Sequence, residues 1–372
     1  MEKETIVIDN GTSKIKIGIA GDDNPSFIEF NCIGKPKGKE SKTNQESSYI
    51  GCEAIEKRES LTLSSPMERG QIVDWENMER IWNYLFLDKM KHDPNEYNFL
   101  ITKKRQTPKS NDETIAEIVF ETYGVKAMYL AYDTILSLYS SGRTTGCVLD
   151  VGDGCITIEA IYEGFSVPQS INRYDFGGRD ITDYLCTLLK RETGRSFTTT
   201  SEIDIVREIK EKHCQVALSC KAQELRGNLP EEDKITYELP DKGKIKIGNE
   251  RIQAPEILFQ PSLIGVEQPN LDEIVINSIM NCDVDARKDF FGNVVLSGST
   301  TLMSGFVERL QTGIKERAPE GIRLRCVAAP ERAMSPWIGG SILGSLSTFQ
   351  KMWVSIDEYL ENGVSIVHTK CF

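Results

Sequence analysis

The chain has 372 residues, of which 39% are hydrophobic and 27% charged, and a net charge of −12. That length exceeds what one hydrophobic core usually supports, so two or more domains are expected, and the acidic balance disfavours nucleic acid as the main partner. No apolar run is long enough to span a bilayer, Met1-Glu-Lys-Glu-Thr5 does not read as a signal peptide, and ten scattered Cys beside three His argue for reduced thiols and against structural zinc.

The first element is a hairpin. Residues 6–19 read Ile-Val-Ile-Asp9-Asn10-Gly11-Thr12-Ser13-Lys14-Ile15-Lys16-Ile17-Gly18-Ile19, a short apolar strand, an Asp, a turn of small residues and an alternating second strand. Ile15, Ile17 and Ile19 share one face, which leaves Lys16 on the other. The polar stretch from Lys35 to Ser48 has four Lys, two Glu and no large apolar residue, and reads as an exposed, mobile loop in a small insertion ending near Leu61. Helices are expected at about 74–88, 111–123 and 134–141, with Gly142 ending the last.

The hairpin pattern then returns. Residues 147–158 read Cys-Val-Leu-Asp150-Val-Gly152-Asp153-Gly154-Cys155-Ile156-Thr157-Ile158. Asp150 takes the place of Asp9, and Thr157 the place of Lys16. Either turn alone would be ordinary. Their repetition points to two related halves, each giving one loop to a shared site. Turns of this kind leave backbone N–H groups free to cradle anions, so two facing loops would grip the phosphates of a nucleotide. Asp9 and Asp150 would face a divalent cation on those phosphates, through water. Lys16 can neutralise terminal phosphate oxygens, whereas Thr157 can only form hydrogen bonds.

Further along, 178–225 reads as mostly helical and 226–235 as polar and irregular. The strand 294–297 runs into Gly298-Ser299-Thr300-Thr301 and a helix, a frequent ligand position in α/β folds. Ile342, Leu343, Leu346, Phe349 and Met352 follow helical spacing, which implies a core face.

Several long stretches carry a resemblance. They are Ile-Asp-Asn-Gly (8–11), Asp-Val-Gly-Asp-Gly (150–154), Ser-Leu-Tyr-Ser-Ser-Gly-Arg-Thr-Thr-Gly (137–146), Gly-Arg-Asp-Ile-Thr-Asp-Tyr-Leu (178–185), Ser-Phe-Thr-Thr-Thr (196–200), Ile-Gly-Asn-Glu-Arg (247–251), Ser-Ile-Met-Asn-Cys-Asp-Val-Asp (278–285), Trp-Ile-Gly-Gly-Ser-Ile-Leu (337–343) and the final Lys-Cys-Phe. With these the chain resembles the actin family from end to end. The resemblance implies an α/β, ribonuclease H-like duplicated fold shared with Hsp70 and sugar kinases, two lobes and four subdomains around a nucleotide cleft. The subdomains would be 1–30 with 66–140 and 335–372, then 31–65, then 141–176 with 267–334, and 177–266.

The resemblance also implies ATP or ADP with Mg2+ or Ca2+. By position, Gly11, Thr12, Ser13 and Lys16 form the first phosphate loop, and Gly152, Asp153, Gly154 and Cys155 the second. Asp9 and Asp150 are the cation-facing carboxylates. Gly178, Lys210, Glu211, Gly298, Ser299 and Met303 fall around ribose and adenine. Ser299 stands where the family has Gly, Met303 where it has an aromatic ring, and Ala333 where it has a base-side Lys, so the adenine pocket is altered.

The catalytic positions depart further. The family's water-positioning Gln and His are here Asp133 and Thr157. Asp133 either acts as a carboxylate base or simply begins the helix at 134–140, favoured by the dipole there; slowed hydrolysis is the expectation. On the implied phosphate-release route Arg173 is kept, while Thr107 and Arg69 replace Asn and His. The cleft for actin-regulatory proteins is matched by Tyr139, Gly142, Thr144, Leu343, Leu346, Thr348 and Met352, with Phe165 for Tyr and Ser140 for Ala, and a partner helix would dock there. The all-polar 35–48 loop would lose apolar burial between filament subunits, roughly 1.5–3 kcal/mol per large side chain. Leu263-Ile264-Gly265-Val266 keeps an apolar inter-strand plug, or is an ordinary strand-edge cluster. Two readings follow: an ATP-binding divergent actin that polymerises, a cytoplasmic and cytoskeletal protein with weak ATPase activity, or a nucleotide-stabilised subunit of a larger complex that does not self-assemble. A nuclear location stays open.

Overall fold

A computed structural model of the chain describes residues 4–37, 48–218, 232 and 234–371. Both expected hairpins form, and each nucleates a sheet. Thr5–Asn10 is buried along its whole length, as a strand with neighbours on both sides must be. It pairs antiparallel with Lys14–Ile19 and parallel with Asn98–Lys103, which in turn pairs parallel with Ala127–Tyr132. Phe27–Phe30 and Val354–Ser355 close the two edges of this sheet.

The second sheet repeats the plan. Gly146–Val151, again buried throughout, pairs antiparallel with Ile156–Tyr162 and parallel with Val294–Ser297, which continues in parallel to Cys326–Val327. Phe165–Ser166 and Asn172–Tyr174 extend it on the far side. The registers match as closely as the topology does: Asp9 lies opposite Lys16, and Asp150 opposite Thr157. The duplicated α/β fold expected from sequence is present.

Each sheet carries its own core. Ile6, Ile8, Trp82, Phe86, Phe99 and Trp337 anchor the first, and Leu149, Ile158, Leu185, Phe290, Phe291 and Phe306 the second. The helix Asp133–Ser140 joins them: Leu136 lies in the first core, while Leu138 packs with Val148, Ile161 and Val295 of the second sheet. The buried Ser137 hydroxyl donates to Ser297 at 2.9 Å, tying that helix to the end of Val294–Ser297. Helix Ser335–Ser345 crosses it at close range, because Gly339 and Gly340 present no side chain there. A methyl on Gly339 would lie 1.9 Å from the Leu136 carbonyl oxygen.

Helix positions largely follow the expectation. Trp75–Asn83 starts on Asp74, whose carboxylate accepts from the Asn77 amide, and runs on as a wider π-type turn over Tyr84–Met90. Lys109–Glu117 continues likewise through Ile118–Thr122, and Gly142, at φ +69°, follows the end of Asp133–Ser140. The segment expected to be mostly helical resolves into Gly178–Thr193 and Thr200–His213, the latter started by a Thr199/Glu202 capping box; Cys214–Leu218 is not helical, and 219–231 lies outside the described residues. Within the irregular 226–235 stretch, Ile235 instead opens the strand Ile235–Glu238.

Three expectations are corrected or fall outside the described residues. The apolar series from Ile342 to Met352 is not one core helix. The helix ends at Ser345, a 3-10 turn over Ser347–Lys351 follows, and Ile342 and Leu346 are 42% and 45% exposed while Phe349 is buried. Leu263-Ile264-Gly265-Val266 is not a strand edge: Pro261–Ile264 forms a 3-10 turn that Gly265 ends at φ +75°. Of the polar 35–48 loop, Lys35 and Pro36 belong to the strand Ile33–Pro36, and 38–47 lies outside the described residues. Among the described residues no helix is long and apolar enough to cross a membrane.

Replacing Gly339 by Ala forces the two crossing helices apart, and is expected to cost roughly 1–3 kcal/mol, the range for overpacking. Urea unfolding measures it; a midpoint equal to that of the wild type would show that the crossing tolerates a side chain.

Candidate functional site

The two loops face each other where the sheets meet. A methyl on Gly154 would lie 2.7 Å from the Thr12 hydroxyl and 3.0 Å from Arg69 Cα, so the turn Gly11–Ser13 and the turn Gly152–Cys155 come within contact distance. Asn31 donates its amide to the Gly11 carbonyl at 2.9 Å, and the Gly152 amide donates across its own turn to the Cys155 carbonyl at 3.0 Å. Cys155 is buried, and that burial pushes its thiol pKa up, so it packs as a neutral group rather than a nucleophile.

More expected residues gather behind the second loop. The Gly178 amide donates to the Gly152 carbonyl at 3.0 Å, as does the Thr300 hydroxyl at 2.9 Å. Lys210 donates to the Gly178 carbonyl at 2.7 Å and lies 3.9 Å from Asp153; burial lowers its pKa. Gly298, at φ +88°, is pressed against Val151, whose carbonyl oxygen would be 2.3 Å from a methyl there. Glu211 points toward the first loop, 3.9 Å from Lys14, while also binding Arg207 at 2.8 Å. Ser299 is exposed on its turn, and Met303 is half-buried against the second core.

The two hairpins differ most in their charges. Asp9, 5% exposed, is paired across its own hairpin with Lys16 at 2.5 Å, and accepts from the Thr102 hydroxyl at 3.0 Å. Asp150 is equally buried, but the residue opposite it is Thr157, which carries no charge. Its cation comes instead from the other sheet. Lys104, just past the end of Asn98–Lys103, reaches Asp150 at 2.6 Å and also touches Asp133. The Thr157 hydroxyl is fully buried and has no hydrogen-bond partner among the described residues.

Asp133 is the first residue of its helix, and its Oδ1 accepts from the Thr134 amide at 2.9 Å, as expected of an acid at a helix start. Among the described residues its Oδ2 meets only the Lys104 ammonium, as an ion contact rather than a well-aligned hydrogen bond. Burial lifts the Asp133 pKa to about 6; Lys104 pulls the other way, and Asp150 and Asp9 add to the rise. Burial likewise works against a charged Lys104, yet Asp133 and Asp150 hold its pKa well above the ordinary lysine value. Three carboxylates and two ammonium groups thus share one buried locus.

The sequence matches the family profile described as Actin over residues 1–372. The chain belongs to the actin family. It is an actin-like nucleotide-binding protein with the two-lobed α/β fold, and members of this family bind their nucleotide together with a divalent cation. The residues present suit both groups: two facing backbone cradles and Lys16 for phosphates, and two buried carboxylates at strand ends for a hydrated cation.

Sequence reasoning missed the side-chain contacts that join the lobes of this actin-family protein, although it places Arg69 and Arg173 on the implied phosphate-release route. Arg105 forms a buried bidentate pair with Glu159, at 2.8 and 2.5 Å, and also donates to Ser166; Thr134 adds a 2.5 Å bond to the same carboxylate. Arg69 binds Asp180 at 2.6 and 3.0 Å, and Arg58 reaches both Asp204 and Glu208 at 2.8 Å. Arg173 donates to the backbone carbonyls of Arg105 and Arg69. The one available signal was the run Lys103-Lys104-Arg105 at the end of a buried strand, where three successive cations need acidic partners.

Glu159 is fully buried, so Arg105→Met should cost about 3–5 kcal/mol by leaving an unpaired carboxylate. Adding Glu159→Gln should restore more than half of that loss in denaturant unfolding; a double variant as weak as the single one would show that the pair is not the source.

Proposed function

We propose that this actin binds ATP with Mg2+ or Ca2+ and polymerises into cytoskeletal filaments in the cytoplasm, with slowed hydrolysis. The observation that carries the reading is the pair of opposed loops, Gly11–Ser13 and Gly152–Cys155, with a carboxylate at the end of each preceding strand. In this reading Gly11, Thr12, Ser13, Lys16 and Gly152 to Cys155 hold the phosphates. Gly178, Lys210, Glu211, Gly298, Ser299 and Met303 border the ribose and base. Asp9 and Asp150 hold the cation through water, and a bound cation would supply charge neutralisation to the phosphates. The four-subdomain division inferred from sequence belongs to the same reading.

Slow hydrolysis follows from the residues near the reacting end. Asp133 is occupied by the Thr134 amide and the Lys104 ammonium, so it is a poor base for water. Thr157 has no group that can accept a proton at neutral pH; its free hydroxyl can only orient a water. This makes the chain a weak ATPase.

Regulatory proteins would dock where Tyr139, Leu343 and Met352 are half-buried on the first core and Thr144 and Leu346 are exposed. Phe165 adds apolar surface nearby, 72% exposed, on the strand beside Ile156–Tyr162. Leu263, 41% exposed on its turn, offers a further contact for filament assembly. The second reading, a nucleotide-stabilised subunit of a larger complex, draws on the all-polar composition of 35–48.

Sedimentation of the purified chain with Mg-ATP over a concentration series, with phosphate release followed in the same tubes, tests the proposal. Pelleting above a threshold with slow release is the expected result. A chain that binds ATP but never pellets belongs to the second reading, and fast release would remove the assigned effect of Asp133 and Thr157.

A further inference from the structure

We infer that the Lys104 ammonium is a built-in counter-ion for the nucleotide's terminal phosphates, so that this actin retains nucleotide with little dependence on the divalent cation. The inference rests on the nucleotide reading above, in which Lys104 serves only to occupy Asp133, and gives that residue a role toward the phosphates.

The geometry is specific. The two hairpins are equivalent in register, yet only the first carries a lysine opposite its Asp. In the second, Thr157 leaves Asp150 without a cross-strand cation, and Lys104 arrives from the opposite sheet to take that place. Its stem lies close to the second loop: a methyl on Gly70 would lie 3.2 Å from Lys104 Cγ and 3.3 Å from the Cys155 sulfur. The ammonium therefore sits beside the second phosphate loop, held between Asp133 and Asp150, the latter being a carboxylate that would otherwise face the cation. An ammonium has three hydrogens; among the described residues one is donated to Asp150 and Asp133 adds an ion contact, which leaves a hydrogen for a phosphate oxygen. The Lys104 side chain is 15% exposed, which is enough to meet a ligand but too little for water to screen its charge.

The charge balance gives this position its effect. Asp9 is neutralised by Lys16 at 2.5 Å, and Asp150 by Lys104 at 2.6 Å. A triphosphate entering between the loops thus meets three carboxylates offset by two fixed cations before any metal is bound. Without Lys104 it would meet Asp133 and Asp150 as uncompensated negative charges a few ångströms away, and only a divalent cation could offset them. Lys104 on Asp150 also lowers the negative charge available to attract that metal. Both effects act in the same direction.

The test is calorimetric titration of the purified chain with ATP, once with Mg2+ and once with EDTA, for the wild type, Lys104→Met, and Lys104→Met with Asp133→Asn. The double variant removes one charge of each sign, so it guards against misfolding of the single one, and thermal unfolding reports on the fold of each. EDTA is expected to weaken ATP binding to the wild type by roughly tenfold or less, and to both variants by roughly a hundredfold or more. A wild type that loses roughly a hundredfold or more in EDTA overturns the inference without any variant. So does an equal loss in the wild type and the double variant. A wild type that binds no ATP even with Mg2+ overturns the nucleotide reading itself, and the inference with it.

Discussion

The pairing of cations at the end of one buried strand with carboxylates of the other sheet is the constraint on which the rest of this molecule depends. Lys104 and Arg105 follow Asn98–Lys103 directly, and they meet Asp150 and Glu159 on the two strands of the second hairpin. Neither carboxylate has an adequate cation within its own sheet. Buried charges of this kind are tolerated only when paired with good geometry, so the two lobes are held in the one relative position that satisfies both pairs. The helix Asp133–Ser140 lies between the sheets for the same reason: Asp133 and Thr134 at its start belong to these networks, while Leu136 and Leu138 serve separate cores.

A duplicated fold begins with two equivalent sites, and this chain shows how they diverge. In the first hairpin the Asp and its lysine are cross-strand neighbours, a local arrangement. In the second the neighbour is a buried Thr hydroxyl without a partner among the described residues, and the lysine is recruited from another part of the chain. A local pair keeps its geometry if the lobes shift. A pair made across the lobes does not, so the electrostatics of the second loop are coupled to the closeness of the lobes. Arg69 with Asp180 and Arg58 with Asp204 and Glu208 add to that coupling farther out.

Much was legible in the sequence where the physics is local. Both hairpins, their equivalent registers, the helix starts at Asp74 and Asp133, and the terminating Gly142 depend on neighbours a few residues away, and pattern and turn chemistry describe them well. The series from Ile342 to Met352 misled because helical spacing records a face without recording where a helix stops. The close crossing at Gly339 brings Ser335–Ser345 across Asp133–Ser140, and the chain leaves the helix at Ser345. In the candidate site the loops and both strand-end carboxylates could be named in advance. Lys104, Arg105, Glu159 and Arg58 could not, and Arg69 was named without its partner Asp180, because these partners are distant in the chain.

By itself, the sequence determined that this protein is a member of the actin family with a duplicated α/β fold and two equivalent hairpin turns, each preceded by an Asp on a buried strand. Those features follow from residue order within short windows, and the end-to-end match to the family adds the global plan. Only the tertiary structure decided which cation each Asp meets, that Asp133 is held between a helix start and an ammonium, and that Thr157 has no partner among the described residues. The physical reason is that a buried charge takes its partner from whatever side chain the packing of two sheets brings within reach, and no periodicity along the chain encodes that distance.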